Sequence, residues 1–334
     1  MKGEDGGEGD SNDFLGSTMI TIGFSSHHVE ALPYAREQME RHQTIILEEP
    51  PSPSFGQMLQ GTKPLDDYLL ELDSGFPEFD RRMHQLLIEF HRQGKRILQM
   101  EPYLERLLQI HELFADGNTP DTVLGMTELR DVYLAEKHAT GALISFYALS
   151  MKAPFEGVVE GVKRFARADA MRLVLRERLR ARAIAEIVRA GESTYVEAGY
   201  IHYPLYRFLR QETGGRQEIR VAFLLAPLVR KLGGKRRNLG PGDVLTLHYA
   251  FDKKLFEASA SLLAARSLIY IKLINQEELL PGESETPHSE DEVMVNRLVD
   301  QLDFEQCRDL FDRIRLADRR KALELTRAFI RETM

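Results

Sequence analysis

"MITIGFSSHHVEALPYAREQMERHQTIILEE" runs from Met19 to Glu49. Its first six residues, Met19 to Phe24, have the apolar, β-branched composition of a buried strand. The helical pattern that follows extends from about Leu32 to His42, with Pro33 tolerated in its first turn. "QTIILEE", Gln43 to Glu49, is a second strand, ended by Pro50, Pro51 and Pro53. Strand, helix and strand in close succession form the repeating unit of a parallel sheet.

Outward from this unit the alternation continues. Helices are expected around Leu65–Leu72 and Glu78–Arg92. "KRILQME" (Lys95–Glu101) is a third strand, and Pro102 opens the helix after it. From about Thr119 to Ala190 there is no strand signal. Apolar residues recur at spacings of three and four, with breaks near Gly125, Pro154 and Gly161, so three or four inserted helices are predicted. "STYVEAG" (Ser193–Gly199) is the fourth strand; "QEIRVAFLL" (Gln217–Leu225) and "DVLTLHY" (Asp243–Tyr249) are expected as a fifth and sixth. Asp252–Asn275 is helical, Gln276–Glu292 an acidic linker with two prolines, and Val293–Met334 helical again. The predicted architecture is α/β: a mostly parallel central sheet with flanking helices, an inserted helical block at 119–190 and a helical C-terminal extension from 251. The first 17 residues, acidic and glycine-rich, are expected to be a disordered tail and not a signal peptide.

Composition narrows the function classes. A net charge of -8 argues against a general nucleic-acid or anionic-membrane binder. A single cysteine, Cys307, excludes an internal disulfide and a cysteine-rich metal site, and fits a reducing, cytoplasmic setting. The most apolar stretch, Leu255–Ile274, contains Glu257, Arg266 and Lys272, which is a core helix and not a membrane span. No G-x-S-x-G elbow and no G-x-G-x-x-G after a strand is present. "GGKRRN" (Gly233–Asn238) lacks the remainder of a phosphate-loop motif.

The charged residues at strand ends carry the main signal. Ligands of open parallel sheets bind beyond the carboxyl ends of the strands. There stand His27 and His28, Glu48 and Glu49, Glu101, and Glu197 followed by His202. Two carboxylates about 6 Å apart repel by roughly 3 kcal/mol at an effective dielectric near 20, so such a rim needs cations, a shared proton or a metal. Histidines with carboxylates are a ligand set for zinc, manganese or iron. The arginines of "RLVLRERLRARAIAEIVR" (Arg172–Arg189) are the other source of positive charge. Neighbouring residues on a strand face opposite ways, so one of His27 and His28, and one of Glu48 and Glu49, is expected to turn from the site.

These residues resemble the TraB/Tiki superfamily, which includes erythromycin-esterase-like and ChaN-like proteins. Its first motif, GxxH, is similar to Gly23 with His27 or His28, with one residue more than the motif before His27. Its strand-ending glutamate corresponds to Glu48 or Glu49. The helix with paired acid and arginine corresponds to Arg176, Glu177 and Arg178, and the second GxxH to Gly199 and His202. Glu101 resembles the end of the family's middle strand, whereas Glu197 stands where an apolar residue is usual. The resemblance covers about Thr18 to Leu224.

The resemblance implies a metal-dependent hydrolase of peptide or ester bonds. A divalent ion (zinc, manganese or iron) would be held by His27 or His28, Glu48 or Glu49, and His202. Glu101 or Glu197 would be general base, and Arg176 or Arg178 would stabilise the oxyanion formed from a substrate carbonyl. A metal-free form, with histidine activating water, belongs to the same expectation. The rivals are a haem- or iron-binding module and a non-catalytic scaffold. The C-terminal helices are expected to serve packing or homo-oligomer formation.

Overall fold

The computed structural model describes residues 19–72, 74–189, 191–234, 239–253 and 255–333. The expected N-terminal tail and residues 235–238 of the GGKRRN stretch lie outside the described residues. Five strands form one parallel sheet: β1 (Met19–Ser25), β2 (Thr44–Leu47), β3 (Arg96–Gln99), β4 (Thr194–Gly199) and β5 (Glu218–Phe223), in the order β3-β2-β4-β1-β5. β4 slots between the first two strands, bringing Gly23 opposite Glu197 and Ser25 opposite Gly199. All five strands end at one edge, so the residues that follow them share a rim.

Alternation along the strands divides the core. Ile45 and Leu47 of β2 and Tyr195 of β4 face the helices α1 (Leu32–Glu40), α2 (Pro53–Gln60), α3 (Leu65–Leu69) and α4 (Pro77–Arg92). Gly23 belongs to this face for a steric reason. A Cβ there would lie 2.2 Å from the Tyr195 hydroxyl, so the tyrosine ring occupies the space of a side chain.

After β3 the chain forms α5 (Pro102–Ala115), α6 (Pro120–Gly125), α7 (Thr127–Lys152) and α8 (Phe155–Ile187), with no strand among them. Ile20, Ile22 and Phe24 of β1, with Ile46 and Val196, pack against the second half of α8 through Ala181 and Ile184. α9 (Pro204–Glu212) closes the same layer with Leu205, Phe208 and Leu209. The first half of α8 serves a different core, described below.

Beyond β5 come α10 (Ala226–Lys231), α11 (Pro241–Ala250), α12 (Glu257–Leu273), α13 (Pro287–Asp300), α14 (Phe304–Ile314) and α15 (Arg319–Thr333). The stretch expected as a sixth strand, Asp243–Tyr249, is instead within α11. Pro241 opens that helix, and the Asp243 carboxylate accepts from the Gly240 backbone N–H at 3.2 Å. Its apolar run is too short for period alone to distinguish strand from helix; the Gly-Pro start decides it. Val158, Val159, Val162 and Ala166 of α8 share a core with Leu245, Ala264, Val295, Leu310 and Phe329 of the later helices. The C-terminal helices therefore pack on the rod that also supports the sheet.

The expected acidic linker becomes helical at Pro287. There the buried carboxylate of Glu30 accepts from the backbone N–H of His288 at 2.6 Å, and from the N–H of Ser289 at 3.1 Å and its hydroxyl. A residue beside β1 thereby caps the first turn of α13. Among the described residues no helix is long and apolar enough to cross a membrane.

Candidate functional site

Glu48, the first residue beyond β2, follows Ile46 onto the α8 face of the sheet. Its Oε1 accepts from Arg176 Nη2 at 2.9 Å and lies 2.8 Å from His202 Nε2. Its Oε2 accepts from the Gly199 N–H at 2.8 Å and lies 3.6 Å from Arg180 Nη1. Both carboxylate oxygens are thus engaged by positive or polar hydrogen, and the side chain is 8% exposed. Burial alone would raise its pKa, but His202, Arg180 and Arg176 together hold it well below the usual carboxylate range.

His202 closes a 3-10 turn, Tyr200–His202, directly after β4. Gly199 permits the close fit, because a Cβ there would stand 3.3 Å from the imidazole Cδ2. The ring is held at both nitrogens. Nε2 faces Glu48, and Nδ1 is hydrogen-bonded to the wholly buried Glu177. Burial would lower the imidazole pKa; the two carboxylates overcome that and push it up to about 9. At neutral pH this is an imidazolium clamped between two carboxylates.

α8 supplies the rest by its periodicity. Arg172, Arg176 and Arg180 lie four residues apart on one stripe. Arg176 Nε donates to Glu101 Oε2 at 3.0 Å. Arg180, fully buried, donates from Nε to the Met100 carbonyl at 3.1 Å and from Nη2 to the Glu197 carbonyl at 2.6 Å. Arg172 reaches Glu136 of α7 at 3.0 Å and Asp169 at 2.6 Å. Above them lies a cleft of about 240 Å³ whose lining includes Tyr103, Leu107, Glu136, Arg176, Ile201 and His202. The inserted helices form one side of it.

The other expected residues fall elsewhere. Glu49 lies on the opposite face, where Gln99 Nε2 donates to it at 2.7 Å and His84 Nε2 stands 4.0 Å away. Glu197 shares that face with Tyr195. Its Oε2 accepts from the Glu48 N–H at 3.4 Å. Burial pushes its pKa up to about 7, with His27 opposing and Glu49 and Glu48 adding. His27 is exposed and stacked on Phe79, centroids 5.2 Å apart. His28 is buried and stacked on His288 at 3.9 Å. Arg178, two residues from Arg176 and so turned well round the helix, is exposed over the Phe208 ring. Glu101 is fully buried, tied to Arg176, with its Oε1 unpartnered among the described residues; burial raises its pKa against Arg176 and Arg180.

The structure therefore joins Glu48, His202, Arg176 and Glu101, and it separates both His27 and His28 from them. Glu177 and Arg180 were not assigned roles from the sequence, although the four-residue arginine spacing was a legible signal for the second. The donor set does not suit a metal. The Glu48 oxygens already meet two guanidinium groups, and both His202 nitrogens are committed to carboxylates. Among the described residues no group of three or more His, Cys, Asp or Glu side chains is arranged to hold a metal ion.

Comparison with known proteins adds one relative and no activity. The chain is 29% identical over 295 residues to an uncharacterized protein of Archaeoglobus fulgidus, covering 88% of this chain and 98% of the relative. No family model matches the chain, and no solved structure matches it significantly.

Proposed function

We propose that the chain hydrolyses an ester or amide at the cleft above His202 and Arg176, by chemistry that its own side chains supply. The observation that carries this reading is the His202 imidazole, fixed by Glu177 at Nδ1 and facing Glu48 through Nε2, at the surface of the cleft. Glu177 sets the tautomer and orientation, as a buried carboxylate does for a catalytic histidine. Nε2 is the working nitrogen. Once deprotonated, Nε2 no longer donates to Glu48; it turns its lone pair to the attacking water, takes that water's proton and returns it to the leaving group. Arg176 also faces the cleft and is held by Glu48 and Glu101, so it is fixed in place to meet the oxyanion. Glu48, engaged by several donors, balances the charge of Arg176, Arg180 and His202 and is a poor base.

The resemblance to TraB/Tiki proteins, some of which are esterases and proteases, supports the reaction class. The test is hydrolysis of a panel of aryl esters and fluorogenic amides by the whole chain, with and without a chelator, beside His202→Ala. Loss of turnover in the variant and indifference to the chelator are expected. Equal turnover in folded His202→Ala would overturn the proposal.

A second reading has its own support. Each His202 nitrogen and each Glu48 oxygen is already paired, which is what a purely structural bolt between the sheet and α8 requires. The same variant decides between them: a bolt predicts lost stability with no turnover to lose.

A further inference from the structure

The charge arrangement around the cleft defines the class of ligand that fits it. At the rim, Arg172 Nη1 donates to Glu136 at 3.0 Å, and its Nε and Nη2 donate to Asp169 at 3.1 and 2.6 Å. The Tyr103 hydroxyl donates to the second Glu136 oxygen at 2.9 Å. Deeper in, Arg176 is shared by Glu48 and Glu101, and His202 lies between Glu48 and Glu177. Every carboxylate at the cleft is met by a cation, and each of those cations by a carboxylate. A charged ligand would have to break a pair or bring an uncompensated charge into a half-buried cleft, and either is costly.

The remaining surface is aliphatic. Leu104 and Leu107 of α5, Leu173 of α8 and Ile201 line the cleft between the polar groups. Its volume is about 240 Å³. That is room for a short chain.

We infer that the cleft takes small uncharged acyl compounds, a short aliphatic amide or ester whose carbonyl faces Arg176 and whose chain lies along Leu104, Leu107 and Leu173, and that it discriminates against the matching carboxylate and ammonium. The inference takes its acyl chemistry from the hydrolase reading; its charge and size selection rest on the ion pairs and the leucines alone.

The test is a binding titration followed by ligand-observed NMR, using N-methylbutyramide, butyrate and n-butylammonium as probes with the full-length protein. The amide is expected to bind in the millimolar range, and each charged probe to bind weaker by about tenfold or more, the penalty for an uncompensated charge. Leu107→Trp, which fills the cleft, should remove amide binding; Leu104→Trp provides the same check if the first variant misfolds. Charged probes binding as well as the amide would overturn the inference, as would no amide binding or amide binding that survives both folded variants. The two readings fail separately. Selective amide binding without turnover of any ester or amide sinks the hydrolase reading alone. Turnover with preference for charged acyl groups sinks this inference alone.

Discussion

Oε1 of Glu48 and Nε2 of His202 lie 2.8 Å apart, joining the end of β2 to the turn after β4. The contact holds a buried cation against a buried anion, and most of the expected behaviour of the site follows from it.

Replacing His202 by Ala removes the positive charge that Glu48 and Glu177 share. Breaking a buried pair in this way costs about 3–5 kcal/mol, because the partner charges stay behind unpaired. Urea denaturation of the variant should show that loss, and turnover by the folded fraction should fall by about 10²-fold or more. A variant as stable as the parent would show that the contact carries little energy.

The pH dependence has a definite sign. His202 has a folded pKa of about 9 against an ordinary 6.5, so its stabilising contribution is complete below pH 6.5 and is lost as pH rises through 9. Its size is about 3 kcal/mol, since each tenfold gain in proton affinity is worth about 1.4 kcal/mol. Glu197, raised from 4.5 to about 7, takes stability away over its own interval, again as pH rises. Below pH 6.5 the buried His28, its pKa pushed down to about 3 by burial and by His288, works the other way and gains stability as pH rises. The fall in denaturation midpoint is therefore expected from pH 7 to pH 9, and His202→Gln should flatten it. If the histidine is the base, turnover should rise with pH toward 9 over the same interval.

Arg176 and Arg178 are neighbours in sequence with opposite expectations. Arg176→Ala should reduce kcat/KM by about 10²-fold or more through loss of the oxyanion donor. Arg178→Ala, exposed over Phe208, should leave turnover close to the parent's. Parallel steady-state kinetics separate them, and equal effects would contradict the assigned geometry.

Gly23→Ala should destabilise by about 1–3 kcal/mol, the cost of overpacking a filled core, because its methyl would fall on the Tyr195 ring. In a Tyr195→Ala background the penalty should shrink. A double-mutant cycle measures this, and simple additivity would refute the steric account.

Glu30→Ala should loosen the start of α13 before it affects the sheet. It strands the His288 and Ser289 N–H groups, at about 1–3 kcal/mol for each buried unpaired group. Hydrogen exchange should quicken around residues 287–292 first. Uniform change along the chain would argue for a global effect instead.

Much of this was legible in the sequence. The strand–helix–strand unit from Met19 to Glu49 announced the parallel sheet, and the strand-end positions of Glu48, Glu101 and His202 placed them at one rim. What sequence could not resolve was facing. Adjacent pairs such as His27–His28 and Glu48–Glu49 are equivalent in one dimension, and only the layers packed on each face decide between them. His28 was lost to His288, a partner far along the chain whose docking no local pattern signals. The run Asp243–Tyr249 deceived for a related reason: a few apolar residues satisfy either period, and the preceding Gly240–Pro241 was the better guide.

α8 belongs to two cores, with Val162 among the C-terminal helices and Arg176 above the sheet. At 1.5 Å per residue about 20 Å separates those two positions, so tilting the helix by about 3° displaces the guanidinium by about 1 Å. A displacement of that size is enough to cost a reaction about 10²-fold. The rod thus acts as a lever whose short-range adjustments at one end set the aim of a charge at the other. A substitution in the C-terminal core that barely alters melting can consequently appear first as a change in rate.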